Sequence, residues 1–412
     1  MKIAVPRETA SGETRVALTP QTAGQLAGDG VEILVQSGAG DGSYFSDEAY
    51  REAGATIVPD ASTLYGQADL ILRVGRPTDD EIKLLKSGQV LIGTLGTLSH
   101  PELAKKLADA GVTAISVDSI PRITRAQSMD TLSSQATVGG YKAVLLAAER
   151  LPKFMPLLTT AAGTVRPARV LVFGAGVAGL MAIGTAKRLG AVVEATDVRP
   201  VVKEQVQSLG GTFLEVEMTD EERAQAETAG GYAREMGEDY KRRQAELIAS
   251  RVGEADVIIT TALIPGRPAP KLVTAENIRQ MRPGSVIVDM AAEMGGNTEL
   301  TEAGKEIVTD NGVRIIGFTN LPATMPASAT QMYAKNIQTL VKHLVKDGQV
   351  ALDFDDEITR GATITHDGKV IHEATAKALG MEPAAPATAS APTAEPAAET
   401  PPAPQATTTE AQ

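Results

Sequence analysis

Short apolar runs alternate with helix-periodic segments along most of the chain. In a first series, residues 2–5, 31–35, 69–74, 90–95 and 113–117 are rich in Val, Ile and Leu and predict buried strands. Between them, residues 20–29, 47–53, 79–86 and 101–110 carry apolar positions at helical spacing. A second series predicts strands at 169–173, 192–196, 212–214, 257–260, 285–289 and 314–316. Alternation of this kind predicts parallel sheets with helices on both faces. Two longer helical stretches, 137–148 and 331–346, lie between and after the two series and are the expected links between two domains. The expected architecture is α/β, with two Rossmann-like doubly wound domains. One is discontinuous (1–136 and 326–382) and the other spans 137–325. Residues 383–412 are almost entirely Ala, Pro, Thr, Glu and Ser and lack the apolar side chains that offset ordering entropy, which predicts a disordered tail.

The strongest local signal is Gly174-Ala175-Gly176-Val177-Ala178-Gly179. An apolar strand leads into it, a helical pattern at 180–188 follows, and the next strand ends at Asp197. That is the order a dinucleotide fold requires. Gly174 permits the tight turn, Gly176 lets backbone approach a pyrophosphate, and Gly179 lets helix and strand pack closely. The helix N-terminus then offers free N–H groups and partial positive charge to the phosphates. Asp197 stands about 20 residues on, where a carboxylate accepts from the adenosine ribose hydroxyls and repels a 2′-phosphate, so NAD(H) is favoured over NADP(H). Arg199 weakens that preference, because a guanidinium there can hold a phosphate. A second glycine cluster, Gly38-Ala39-Gly40-Asp41-Gly42, has Ser at position 43 in place of the third glycine and an acid that would repel a pyrophosphate, and reads as tight turns.

Two polar segments each admit two readings. Residues 121–134, PRITRAQSMDTLSS, are a solvated loop with Asp130 or Thr131 near a helix N-cap, or a polar wall facing a nicotinamide; spacing does not choose between them. Residues 229–240, AGGYAREMGEDY, read first as a surface excursion and second as a lid over a cofactor.

Composition narrows the chemistry. A formal net charge of -12 and 3% aromatic residues argue against nucleic acid as a partner. With no cysteine there is no disulfide, thiolate metal site or thiol nucleophile. The four histidines, His100, His343, His366 and His372, show no metal-ligand spacing, and no metal is expected. No secretory signal or membrane-length apolar run is evident, so a cytoplasmic location is expected.

Taken together, IAVPRETASGETRVALTP, PRITRAQSMDTLSSQATVGGYKAV, VLVFGAGVAGLMAIGTAKRLGA, GGYAREM, TTALIPGRPAP and MRPGSVIVDMAAEMGGN resemble the NAD(H)-binding component, domain I of the alpha subunit, of the proton-translocating NAD(P) transhydrogenases. The resemblance implies that Arg122, Gln127, Asp130 and Ser133 contact the nicotinamide end, and that Gly176, Val177 and Asp197, flanked by Val198 and Arg199, contact the pyrophosphate and ribose. It also implies that Tyr232, after Gly231, belongs to a loop closing over the nucleotide. It further implies a homodimer, a partner component holding NADP(H), and a membrane component that couples hydride transfer to proton movement and keeps this chain peripheral to the inner membrane. Direct transfer between two nicotinamide rings needs alignment and water exclusion rather than an acid or base.

Alanine dehydrogenases resemble the same two-domain pattern. Their K-V-K-E-P stretch appears here as Arg73-Val74-Gly75-Arg76-Pro77, with Gly75 in place of the second Lys, and their His position falls near Gly96, leaving His100 out of register. Arg15 matches a carboxylate-binding Arg of that family and is retained. A non-catalytic NAD-binding module is the third reading.

Overall fold

The computed structural model describes residues 1–225, 236–264 and 266–384, excluding the side chains of 223–225. The expected tail lies outside the described residues from 385 onward; within its first residues, Ala384 still donates to Val370 O.

The first series forms β1 (Lys2–Val5), β2 (Glu32–Gln36), β3 (Thr56–Val58), β4 (Leu70–Leu72), β5 (Val90–Gly93) and β6 (Thr113–Ser116). They pair in parallel in the order β3-β2-β1-β4-β5-β6. After a small hairpin, β7 (Leu158–Thr160) and β8 (Gly163–Val165), the second series forms β9 (Arg169–Phe173), β10 (Val192–Thr196), β11 (Thr212–Phe213), β12 (Val257–Thr260), β13 (Val286–Asp289), β14 (Glu306–Val308) and β15 (Arg314–Ile316). Its order is β11-β10-β9-β12-β13-β15-β14, parallel except for β14. Both sheets thus run outward from their first strand and reverse beside it, the doubly wound Rossmann order. A crevice opens at the carboxyl ends of β1 and β4 in one sheet and of β9 and β12 in the other.

These strands are largely apolar because both faces are covered: β5, β6, β12 and β13 are buried at every position. Each sheet has one apolar cluster on either face. Two long helices connect the sheets. Thr131–Arg150 sends Ala143, Val144 and Ala147 into the second core. Pro326–Leu344 sends Tyr333, Ile337, Leu340 and Val341 into the first. The chain then forms a hairpin, β16 (Val345–Lys346) and β17 (Gln349–Val350), and adds β18 (Thr363–His366) antiparallel to β6 at the edge of the first sheet, with β19 (Lys369–Val370) antiparallel to β18 beyond it.

The sequence pattern underestimates the first linking helix, which begins at Thr131 rather than 137, because Asp130 caps it with a hydrogen bond from Ser133 N. It overestimates the helix at 79–86, which is regular only over Asp79–Ile82. No helix among the described residues is long and apolar enough to cross a membrane.

Candidate functional site

At the second crevice, β9 ends on Phe173 and the chain turns through Gly174 at φ +91. Only glycine adopts that conformation without strain, and a Cβ there would also stand 2.5 Å from Thr261 Oγ1. Gly176 caps the helix Val177–Arg188 with no side-chain hydrogen bond, so the first-turn N–H groups face the crevice unblocked by a capping side chain. A Cβ on Gly179 would collide with Gly174 O and lie 2.8 Å from Gly174 C, so the helix sits against the turn itself. This cradle has the shape and donors for a pyrophosphate.

Beyond it, β10 delivers Asp197. Its Oδ2 accepts from Ala175 N at 2.7 Å and from Arg199 Nη2 at 2.8 Å, and its Oδ1 from Arg199 N at 2.8 Å and Nε at 3.0 Å. The two side chains are 4% and 14% exposed. The carboxylate expected to meet a ribose is therefore already engaged, and Arg199 Nη2 comes within 3.6 Å of where a Gly176 side chain would begin. Burial and the Asp197 charge push the nearby Tyr240 phenol upward, keeping it neutral. Val198 packs with Val216, Met236 and Tyr240.

The other wall of the cradle comes from residues that sequence reasoning did not single out. Thr261 Oγ1 donates to the carbonyls of Phe173 and Gly174, at 3.2 Å each. Its neighbour Ala262 is clasped by Asn297, which accepts from Ala262 N at 3.0 Å and donates to Ala262 O and Pro270 O at 2.9 Å. Asn297 is held in turn by fully buried Asp289, which accepts from Asn297 N, Thr298 N, Ala291 N, Thr260 Oγ1 and Thr301 Oγ1. The sequence held one signal, a lone acid closing an apolar strand at Asp289.

In the 121–134 segment the helix-cap reading is realised at Asp130, whose second oxygen also takes the Ser133 hydroxyl at 2.6 Å. Gln127 and Arg122 are exposed. The segment is tied to the cradle through the helix it begins. Gly140 lies against Ala178, one residue before Gly179, so closely that a Cβ would stand 2.9 Å from Ala178 C. Ten residues of helix, about 15 Å, separate Asp130 from that contact. Asp130 and Ser133 thus stand at one end of a helix whose middle rests on the glycine loop, Gln127 lies in the 3-10 turn Thr124–Met129 just before it, and Arg122 precedes that turn. Gly231 and Tyr232 lie outside the described residues.

A family model described as alanine dehydrogenase/PNT, N-terminal domain, matches residues 4–139, and the C-terminal-domain model of the same family matches 143–373. The chain belongs to the alanine dehydrogenase/PNT family. Within this family it is 49% identical to an NAD(P) transhydrogenase subunit alpha polypeptide of Rhodospirillum rubrum, over 91% of this chain and 98% of the relative. It is 32% identical to the alanine dehydrogenase of Bacillus subtilis, over 93% of this chain and 96% of that protein. Among solved structures, a transhydrogenase from Sinorhizobium meliloti superposes with a TM-score of 0.81 at 43% identity, covering 90% of this chain and all of that one. An L-alanine dehydrogenase gives 0.78 at 28% identity, covering 92% of this chain and 99% of that one.

Because the family includes amino-acid dehydrogenases, the first crevice matters too. It is filled by the protein's own charges. Fully buried Arg73 pairs with Glu8 at 3.1 Å and Glu81 at 2.7 Å and donates to Tyr65 Oη at 3.0 Å. Burial pushes the Glu8 carboxyl up despite the Arg73 charge beside it. At Gly75 there is no side chain at all; a Cβ would sit 3.6 Å from Glu8 Oε2. Gly96 occupies φ +61, and His100 begins the helix Pro101–Asp109 with its side chain 41% exposed. Arg15 is held by Glu13, Gln135 and Asn320. The Gly38–Gly42 cluster leads into a single 3-10 turn, and a Cβ on Gly42 would meet Thr14 O at 2.6 Å, so these glycines serve close packing.

Proposed function

We propose that this chain is the NAD(H)-binding component of an NAD(P) transhydrogenase. On this reading it passes hydride directly between NAD(H) on its second sheet and NADP(H) on a partner component, and a membrane component couples the exchange to proton translocation. The observation that carries this reading is the pairing of an open glycine cradle with a first crevice that has no amine at Gly75 and no imidazole at Gly96. Amino-acid oxidation needs proton transfer at the substrate amine; hydride exchange between rings does not.

The bound cofactor supplies or accepts hydride at C4 of its nicotinamide. The protein's contribution is placement. Gly174, Gly176, Val177 and Gly179 hold the pyrophosphate on the helix N-terminus. Asp197, with Val198 beside it, would accept from the adenosine ribose hydroxyls, and Arg199, whose guanidinium lies by Gly176, would offer positive charge to the phosphates. Arg122, Gln127, Asp130 and Ser133 orient the nicotinamide, and the Gly231–Tyr232 loop excludes water. Alignment of this kind removes several kcal/mol from a barrier without any acid or base, roughly 7–11 kcal/mol at its best. The domain division at 137 and 326, a homodimer, and a cytoplasmic position peripheral to the membrane through partner subunits belong to the same proposal. So does the discrimination against NADP(H) at Asp197.

The test is NADH binding, then reduction of an NADP analogue with and without the NADP(H)-binding partner. Tight binding with transfer only when the partner is added is expected. NADH formation from NAD and alanine by this chain alone would overturn the reading.

A further inference from the structure

The turn that carries Gln127 is held from beneath by the helix Pro326–Leu344. Three residues per turn place Ala126 and Met129 on one side of the 3-10 segment Thr124–Met129, and both are buried beside Tyr333, Ile337 and Leu340. The polar hold is Asn336 on the same helix. Its Nδ2 donates to Ser128 O at 2.8 Å, and the residue is 9% exposed. Its Oδ1 is buried with no hydrogen-bond partner among the described residues. Turning the amide over would set two carbonyl oxygens face to face, so its orientation is committed to the Ser128 bond.

A second tie reaches the same turn from farther along the chain. Arg125 Nη2 meets Asp356 Oδ2 at 2.8 Å. Asp356 caps the helix Glu357–Ala362 and is met by His343 Nε2, on the Pro326–Leu344 helix, at 3.1 Å. Arg125 is 61% exposed, so solvent screens this pair. The Asn336 bond is partly buried, from a residue only 9% exposed, and is the stronger constraint.

We propose that Asn336 is a positioning residue of the hydride-transfer site. By fixing the Ser128 carbonyl it sets the direction in which Gln127, one residue earlier, is presented. The Gln127 side chain is exposed, and the backbone beneath it fixes the direction in which its Cα–Cβ bond leaves the turn. The proposal rests on the transhydrogenase reading above. The same helix starts at Pro326, next to the loop from the second sheet, and ends in the core of the first, so it refers the turn to both halves of the cleft.

The experiment compares the full chain with Asn336→Ala, each with the NADP(H)-binding partner. It measures NADH affinity by fluorescence titration, single-turnover hydride transfer to an NADP analogue, and amide exchange in residues 124–130. The expected result is a transfer rate about tenfold to a hundredfold lower, since small misplacements near a reacting pair are amplified. NADH affinity should change less than about threefold and protection of the turn should be lost. Asp356→Asn keeps the helix cap, removes the Arg125 pairing and should act in the same direction more weakly. The double variant should fall short of the product of the two effects, because both act on one turn. Transfer by Asn336→Ala at the wild-type rate, or equal losses in affinity and rate, would overturn this proposal alone. A wild-type chain that binds NADH and transfers nothing would refute the transhydrogenase reading and this proposal with it.

Discussion

Gly140→Ala isolates the contact that joins the two halves of the site. Helix propensity by itself favours the change by about 1 kcal/mol, because alanine loses less backbone freedom than glycine in a helix interior. Packing opposes it. The new Cβ would collide with Ala178 O and stand 2.9 Å from Ala178 C and 3.0 Å from its Cα. Carbon atoms pack best at roughly 3.5–4.0 Å, so the helix must retreat by about 1 Å. The obstacle is backbone on backbone, so no rotamer change relieves it, and the upper part of the ~1–3 kcal/mol range for overpacking applies. The net expectation is a loss of about 1–2 kcal/mol, read from urea unfolding of the core shared by Ala143, Ala147 and Ala182. The retreating helix carries Asp130 and Ser133, so single-turnover transfer with the partner should fall by up to about a hundredfold while NADH still binds. A variant about 1 kcal/mol more stable than wild type, with transfer unchanged, would show that propensity outweighs the contact and would refute the argument.

Three further outcomes concern the site and its supports. Asp197→Asn keeps an acceptor for Ala175 N but loses the charge that Arg199 neutralises; NADH affinity should fall about tenfold, or 1.4 kcal/mol, and discrimination against NADPH should relax. Unchanged titrations with both nucleotides would remove Asp197 from the ribose site. Gln127→Ala touches no folded-state anchor, so transfer should drop about tenfold or more while NADH affinity shifts little; large, equal losses would make Gln127 a simple anchor. At Asp356 burial favours the neutral acid, but Arg125, the N–H groups of Thr359 and Ile358, and His343 outweigh it and hold the carboxyl down to about 2. A carboxyl lowered on folding adds stability that is complete above its ordinary value near 3.8 and disappears as pH falls toward about 2. Thermal melts from about pH 5 to about pH 2 should show a steeper acid loss for wild type than for Asp356→Asn, and parallel curves would contradict this.

The sequence by itself determined the repeating α/β pattern, because strands buried on both faces must be largely apolar and β1, β4, β5, β9 and β12 fall within the expected runs. It also determined the cradle, because Gly174 and Gly179 answer local steric demands that any side chain would violate. The short, partly exposed edge strands β3, β14 and β19 left no such mark, since an edge strand needs little apolar surface. Relations between distant segments were equally illegible. The Asn297 clasp on Ala262, the Asn336 hold on Ser128 and the Arg73–Glu8–Glu81 cluster each join residues far apart in the chain, and their residue types are ordinary when read singly. Only the tertiary structure decided that Asp197 is engaged by Arg199, and that the helix begun by Asp130 rests on the glycine loop at Gly140. Hydrogen bonds and van der Waals contact act over a few ångströms of space, and sequence spacing does not measure that distance.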